Sequence, residues 1–162
     1  ALCGADKEKM AATLSSYVLK NGRMVTFTLG GHKGTLLTSK HENSVAYDTN
    51  LDYVLRQGQE CEVMLIVDAI SRKYFTGETS WLWDLNFDLL AADHVKRVWL
   101  CGRYVNDLAL RFDFTSVPAE RLVLEESIPA AAARLKAEGD LPLYVLTCFS
   151  DRDKLLGLTE RN

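Results

Sequence analysis

The chain of 162 residues is 48% hydrophobic and 25% charged, with 10 glycines and 3 prolines, the composition of one globular domain and not of a disordered, collagen-like or low-complexity chain. Lys plus Arg number 19 against 22 Asp plus Glu, a net charge of −3, so no overall basic field attracts nucleic acid or anionic lipid, and a small molecule or another protein is the expected partner. Apolar runs such as 63–67 fall far short of the roughly 20 residues of a membrane helix, and Asp6-Lys7-Glu8-Lys9, directly behind the first five residues, argues against a signal peptide.

Met10, Leu14, Tyr17 and Val18 recur at helical spacing, which predicts an amphipathic helix over 6–20 with Asp6 as N-cap and Gly22 as stop. Residues 24–29 then alternate with period two, Gly30-Gly31-His32-Lys33-Gly34 turns, and 35–38 return, so a hairpin is expected. The glycines do not make a phosphate loop, because a strand and not a helix N-terminus follows them. Beyond the hairpin the pattern predicts a helix over 48–57, a buried strand over 62–67, an irregular segment over 68–80 and a short helix or turn over 81–90. It continues with a strand over 97–101, a helix over 104–112 and a strand over 121–124. A helix over 128–138, a strand over 143–147 and a last helix over 151–156 complete the series. Short apolar strands separated by helices imply βαβ units, hence an α/β fold with a mixed, mostly parallel sheet and helices on both faces. Ligands of such sheets gather beyond the carboxyl ends of the strands, which selects the loops at 39–47, 68–84, 102–103 and 147–151.

Four cysteines, Cys3, Cys61, Cys101 and Cys148, form no C-x-x-C pair, so neither a zinc site nor a disulfide framework is expected. Cys61, Cys101 and Cys148 sit in apolar strands, where a thiol packs as a small hydrophobe. A thiol enzyme built on Cys148, at the end of its strand, is the competing reading, and it needs a depressed thiol pKa and a neighbouring base. His32, His41 and His94 lack metal-ligand spacing and are expected at the surface. The stretch from Gly77 to Asp88 interleaves Trp81, Trp83 and Phe87 with Glu78, Asp84 and Asp88. An acid held among aromatic rings suits a carboxylate that orients another group's imidazole; alternatively the tryptophans fill core and the acids cap a helix. For Arg103 and Arg111 a phosphate or a partner carboxylate competes with an amphipathic helix edge, the edge being the expectation for Arg111.

Ser80-Trp81-Leu82-Trp83-Asp84 followed by Phe87 resembles the motif of the C-terminal domain of the MurT family, the Mur-ligase-like subunits of lipid II isoglutaminyl synthase. Further segments match in order: Gly22-Arg23-Met24 with Phe27, Leu36-Leu37 before Lys40, Gly102-Arg103 followed by Asp107-Leu108-Ala109-Leu110-Arg111, and Leu143-Tyr144-Val145-Leu146-Thr147. The resemblance implies a Rossmann-like domain of the Mur ligase C-terminal type over 23–162, with 1–22 as the helical tail of an upstream, central ATP-binding domain. It implies a cytoplasmic subunit, acting at the inner face of the bacterial membrane, that uses ATP and Mg to activate the D-glutamate carboxylate of lipid II. A GatD-like glutamine amidotransferase then supplies the ammonia that makes D-isoglutamine. By motif position Asp84 is the acid completing the partner's Cys-His-acid triad, with Glu78 and Asp88 as alternatives. Lys40, His41 and Asn43 are the implied substrate or nucleotide contacts, and Trp81, Trp83 and Arg103 face the partner. The nucleotide belongs mainly to other domains, so these residues alone are expected to be inactive. The family's Lys-Asn-Pro-Ala-Gly loop appears here as Lys40-His41-Glu42-Asn43-Ser44, and its Asn-Asp-Asn run as Asp68-Ala69-Ile70. These departures carry the other expectation, a non-catalytic interaction module of a divergent paralogue.

Overall fold

The computed structural model describes residues 6–15, 22–40, 43–70 and 77–161. Asp6 caps α1 (Lys7–Ser15) as its sequence predicts, its Oδ1 accepting from the amides of Glu8 at 2.8 Å and Lys9 at 3.2 Å. The remainder of the predicted helix, with Tyr17 and Val18, lies outside the described residues.

The hairpin joins β1 (Met24–Leu29) to β2 (His32–Ser39) through Gly30-Gly31 alone. The expected five-residue turn is shorter because His32, Lys33 and Gly34 already pair with Leu29, Thr28 and Phe27. A Cβ on Gly34 would stand 2.2 Å from the Phe27 ring, so the opposed glycine is what lets that ring lie flat across the strand. His32 is fully buried, where a surface residue was expected. Its Nδ1 lies 2.7 Å from the Leu141 carbonyl, and its Nε2 2.9 Å from that of Leu135 and 3.1 Å from that of Glu138. All three neighbours are backbone carbonyl oxygens, supplied by one later stretch of the chain. The ring thereby ties the hairpin turn to the end of a later helix.

Next come α2 (Ser44–Gln57), β3 (Cys61–Ile66) and two short 3-10 helices, Ser80–Asp84 and Phe87–Ala91, where a short helix or turn was predicted. β4 (Val95–Cys101), α3 (Val105–Phe112), β5 (Leu122–Glu125), α4 (Ile128–Ala137), β6 (Leu143–Cys148) and α5 (Arg152–Leu156) follow, and a two-residue β7 (Glu160–Arg161) pairs with β1. The strands form one sheet in the order β5-β4-β3-β6-β2-β1-β7, parallel from β5 through β2 and antiparallel at β1 and β7. The fold is the α/β, mostly parallel mixed sheet that the sequence predicts.

Side-chain alternation divides the core between the two faces. Val63 and Leu65 of β3, Val98 and Leu100 of β4, and Tyr144 and Leu146 of β6 pack with Leu51 of α2, Leu108 and Phe112 of α3, and Leu82 and Phe87 of the 3-10 segment. Met64, Ile66, Trp99, Cys101, Leu143 and Val145 face the other way, onto Ala131 and Leu135 of α4 and Leu155 of α5. The chain therefore leaves β3 toward the first face and β6 toward the second. Between two adjacent parallel strands this divergence opens a crevice at their carboxyl ends.

Candidate functional site

Two groups of residues carry the chemistry suggested by the sequence. The first is the 3-10 segment. Trp81 points inward, its ring 5.3 Å from that of Tyr47, and is core. Trp83 points outward, is 50% exposed, and meets the 66% exposed Phe114 edge-on at 5.3 Å. Asp84, the last residue of the first 3-10 helix, is exposed beside it and not enclosed by the rings. Glu78 turns back on its own chain, accepting from the Ser80 amide at 3.1 Å and from the Ser80 hydroxyl. Asp88 is exposed, and its Oδ1 accepts from the Ser116 amide at 2.7 Å, a bond that holds its carboxyl below the usual carboxylate value. Glu78 and Asp88 each accept from a backbone amide, whereas Asp84 is exposed at the end of its helix beside Trp83.

Beneath this turn lies Arg111, which sequence reasoning put at a helix edge. It is only 8% exposed. Its Nε donates to the Leu82 carbonyl at 3.2 Å, its Nη2 to that of Leu85 at 2.9 Å and its Nη1 to that of Phe114 at 3.5 Å. The same guanidinium stacks on the rings of Trp83 at 5.5 Å and Phe87 at 5.6 Å. The sequence signal for its burial, though not for its carbonyl partners, was available: α3 places Arg111 on the helical face of Leu108, one position before the buried Phe112, and so toward the core.

The second group occupies the crevice where β3 and β6 diverge, and it draws on three of the four loops selected from sequence. Asp151, with no exposed surface, accepts from the Asp68 amide at 2.9 Å, the Ala69 amide at 2.9 Å and the Cys148 thiol at 3.3 Å. Lys154 reaches back from α5 to Asp151 at 2.8 Å and also pairs with Asp68. The Arg103 amide donates to Asp68 Oδ1 at 2.8 Å. Gly102 permits this approach, since at φ 99° a Cβ there would lie 2.6 Å from the Val67 carbonyl oxygen. Partial burial works to raise the Asp68 carboxyl; the Lys154 hydrogen bond and charge and the Arg103 amide outweigh it and hold the group below its usual value. For Lys154 burial works downward, and Asp151 and Asp68 carry the ammonium above its usual value. The cleft beside it, about 440 Å³, is lined by Asp68, Glu126, Ser127, Ile128, Pro129 and Lys154, so the only cation among its described lining residues is already paired.

The Cys148 thiol-enzyme reading fails here. The thiol is buried and pushed up to about 11, chiefly by desolvation, and it bonds to Ser150 and Asp151 with no described histidine among those partners. Cys61 and Cys101 are buried too, as the packing reading expected. Lys40 is exposed just past β2, and His41 lies outside the described residues. Asn43 is the N-cap of α2, its side-chain oxygen accepting from the Ala46 amide at 3.0 Å. Arg103 is exposed, its guanidinium 5.9 Å from the Tyr104 ring. Among the described residues no hydrogen bond or ion pair joins Lys40, Asn43 or Arg103 to Asp84.

Compared with known families, residues 41–151 match the model described as MurT ligase C-terminal. The chain belongs to that family. The matched stretch ends on Asp151 and includes the 3-10 segment and most of the crevice. A comparison with curated proteins finds no match. As a MurT ligase C-terminal domain the chain is part of a ligase-type protein, and no helix among its described residues is long and apolar enough to cross a membrane. Among those residues no three His, Cys, Asp or Glu side chains gather to hold a metal ion, and the carboxylates of Asp68 and Asp151 are spent on Lys154 and backbone amides.

Proposed function

We propose that this domain works within the MurT-like subunit of a glutamine- and ATP-dependent amidotransferase that converts the D-glutamate of lipid II to D-isoglutamine. Its part in that reaction is to lend Asp84 to the glutaminase triad of a GatD-like partner. The observation that carries the reading is the family match together with the posture of the Ser80–Asp84 turn: one acid faces outward beside the exposed Trp83 and Phe114, while Glu78 and Asp88 are committed to the backbone. A carboxylate in that setting docks against a second protein, where the aromatic rings are covered and water is excluded around the acid. In the complex the partner's thiolate attacks the glutamine carboxamide carbon, and the partner's imidazole hands a proton to the departing ammonia. Asp84 fixes the tautomer of that imidazole and offsets its positive charge, a role open only to an anionic acceptor. Residues 1–22 then belong to the tail of a preceding domain, and ATP and Mg are held by parts of the subunit other than the described residues.

Ammonia release from glutamine by the partner with the wild-type subunit and with its Asp84→Asn form tests this. Loss of up to roughly 10⁴-fold in kcat, with the complex still formed on gel filtration, is the expected result. An Asp84→Asn complex of undiminished activity sinks the assignment. The second reading, a non-catalytic interaction module, is favoured by one observation: Asn43, in the altered lysine loop, is spent as a helix cap. It predicts binding of the partner without stimulation.

A further inference from the structure

Nothing in the chemistry of a triad acid requires that acid to be held by a particular neighbour, yet the turn bearing Asp84 is gripped at unusually many points by one side chain. A 3-10 helix of five residues has little stability of its own, since its hydrogen bonds are poorly aligned and few. Its last carbonyls would ordinarily turn to water. Here the Leu82 and Leu85 carbonyls, on either side of Trp83 and Asp84, both point at Arg111. The guanidinium is planar and carries five donors in a fixed fork, so two carbonyls three residues apart are set in one plane relative to it. Its faces meet the rings of Trp83 and Phe87, which fixes the turn in the remaining direction. Phe87 is in turn stacked on Phe112, the residue next to Arg111 in α3, at 4.9 Å. The grip thus passes from α3, a rigid helix of the core, to the two residues that flank the outward acid.

We infer that Arg111 is a positioning residue: it sets the direction in which Asp84 leaves the surface, and through Asp84 it tunes the partner's glutaminase. The inference rests on the assignment of Asp84 in the preceding section. Lysine at this position keeps the charge and loses the grip, because a single ammonium reaches one carbonyl at a time and has no planar face to stack.

The test is a double-mutant cycle in the complex of the full subunit with its glutaminase partner, using Arg111→Lys, Asp84→Asn and the pair, with ammonia release as the readout and gel filtration to follow assembly. Arg111→Lys is expected to assemble normally, leave KM for glutamine unchanged and lower kcat by about 100-fold, the scale of an acid misplaced by about 1 Å. In the Asp84→Asn background the same change is expected to have no further effect, because the group it positions is already gone. Wild-type kcat in Arg111→Lys, or an equal loss in both backgrounds, overturns the inference; the second result makes Arg111 merely structural. An Asp84→Asn complex of full activity overturns the underlying assignment instead, so the two failures are told apart. Should Arg111→Lys melt below the assay temperature, Arg111→Gln, which retains amide donors to one carbonyl, is carried through the same cycle with the same criteria.

Discussion

Single side chains in this domain show how surroundings decide what a reactive group does. Cys148 occupies the position at the end of a central strand where a nucleophile would gain most from the fold, yet desolvation pushes its thiol up to about 11. At pH 7 about one thiol in ten thousand is then ionised. Mass spectrometry after an hour in iodoacetamide at neutral pH should find Cys61, Cys101 and Cys148 unlabelled in the native chain and labelled in urea; an adduct on native Cys148 would revive its candidacy as a nucleophile. Sequence had anticipated three buried thiols, because apolar neighbours in a strand are visible in one dimension. It missed His32 and Arg111, polar side chains in the core. Each is buried against backbone carbonyls supplied by segments far away in the chain, and no spacing rule reports where a distant carbonyl points. The same limit hid the commitments of Glu78 and Asp88, which motif position had ranked behind Asp84 without showing what either of them binds.

At the level of elements, the loop after β3 and the start of α5 are fastened together by Asp68, Asp151 and Lys154. The Asp68 carboxyl is held below its usual value in the folded state, so the folded form binds fewer protons than the unfolded one as acid is added. Its contribution to stability is complete above the unfolded value near ~4 and is lost as pH falls through the lower folded value. Lys154 works in the opposite direction: its contribution is complete below its usual value and is lost only as pH rises through a still higher one. Urea midpoints measured from pH 6 to pH 3 should therefore decline less steeply for Asp68→Asn than for wild type, and an unchanged slope would mean the fastening contributes nothing. The elements themselves were legible. Period-two alternation and helical spacing located every strand from β1 to β6 and every helix from α2 to α5 to within a few residues, with a 3-10 segment where a short helix or turn was expected. What shifted was the second strand of the hairpin, which begins at His32 because pairing continues through Gly34, where the glycine makes room for Phe27.

For the whole molecule, burial patterns predicted a sheet covered on both faces, and the two clusters of core residues bear that out. Strand order was not legible, because an all-buried strand such as β3 or β6 reads the same from any interior position in the sheet. The order is consequential. β6, the last strand of the parallel portion to appear in the sequence, is inserted between β2 and β3 and pairs with both. Until residue 148 has left the ribosome, the hairpin on one side and the β3-β4-β5 sheet on the other have no strand in common, and each presents an apolar edge with its amides and carbonyls bare. Such half-sheets are slow to resolve and prone to pair with the wrong chain. Chains stalled after residue 142 and challenged with protease should be cut throughout the hairpin, whereas chains released after residue 161 resist; protection before β6 emerges would show that one half folds alone. In the cell, the hazard of making this protein therefore lasts from the emergence of its second strand until its sixth has inserted, an interval in which a chaperone that shelters open sheet edges would serve it.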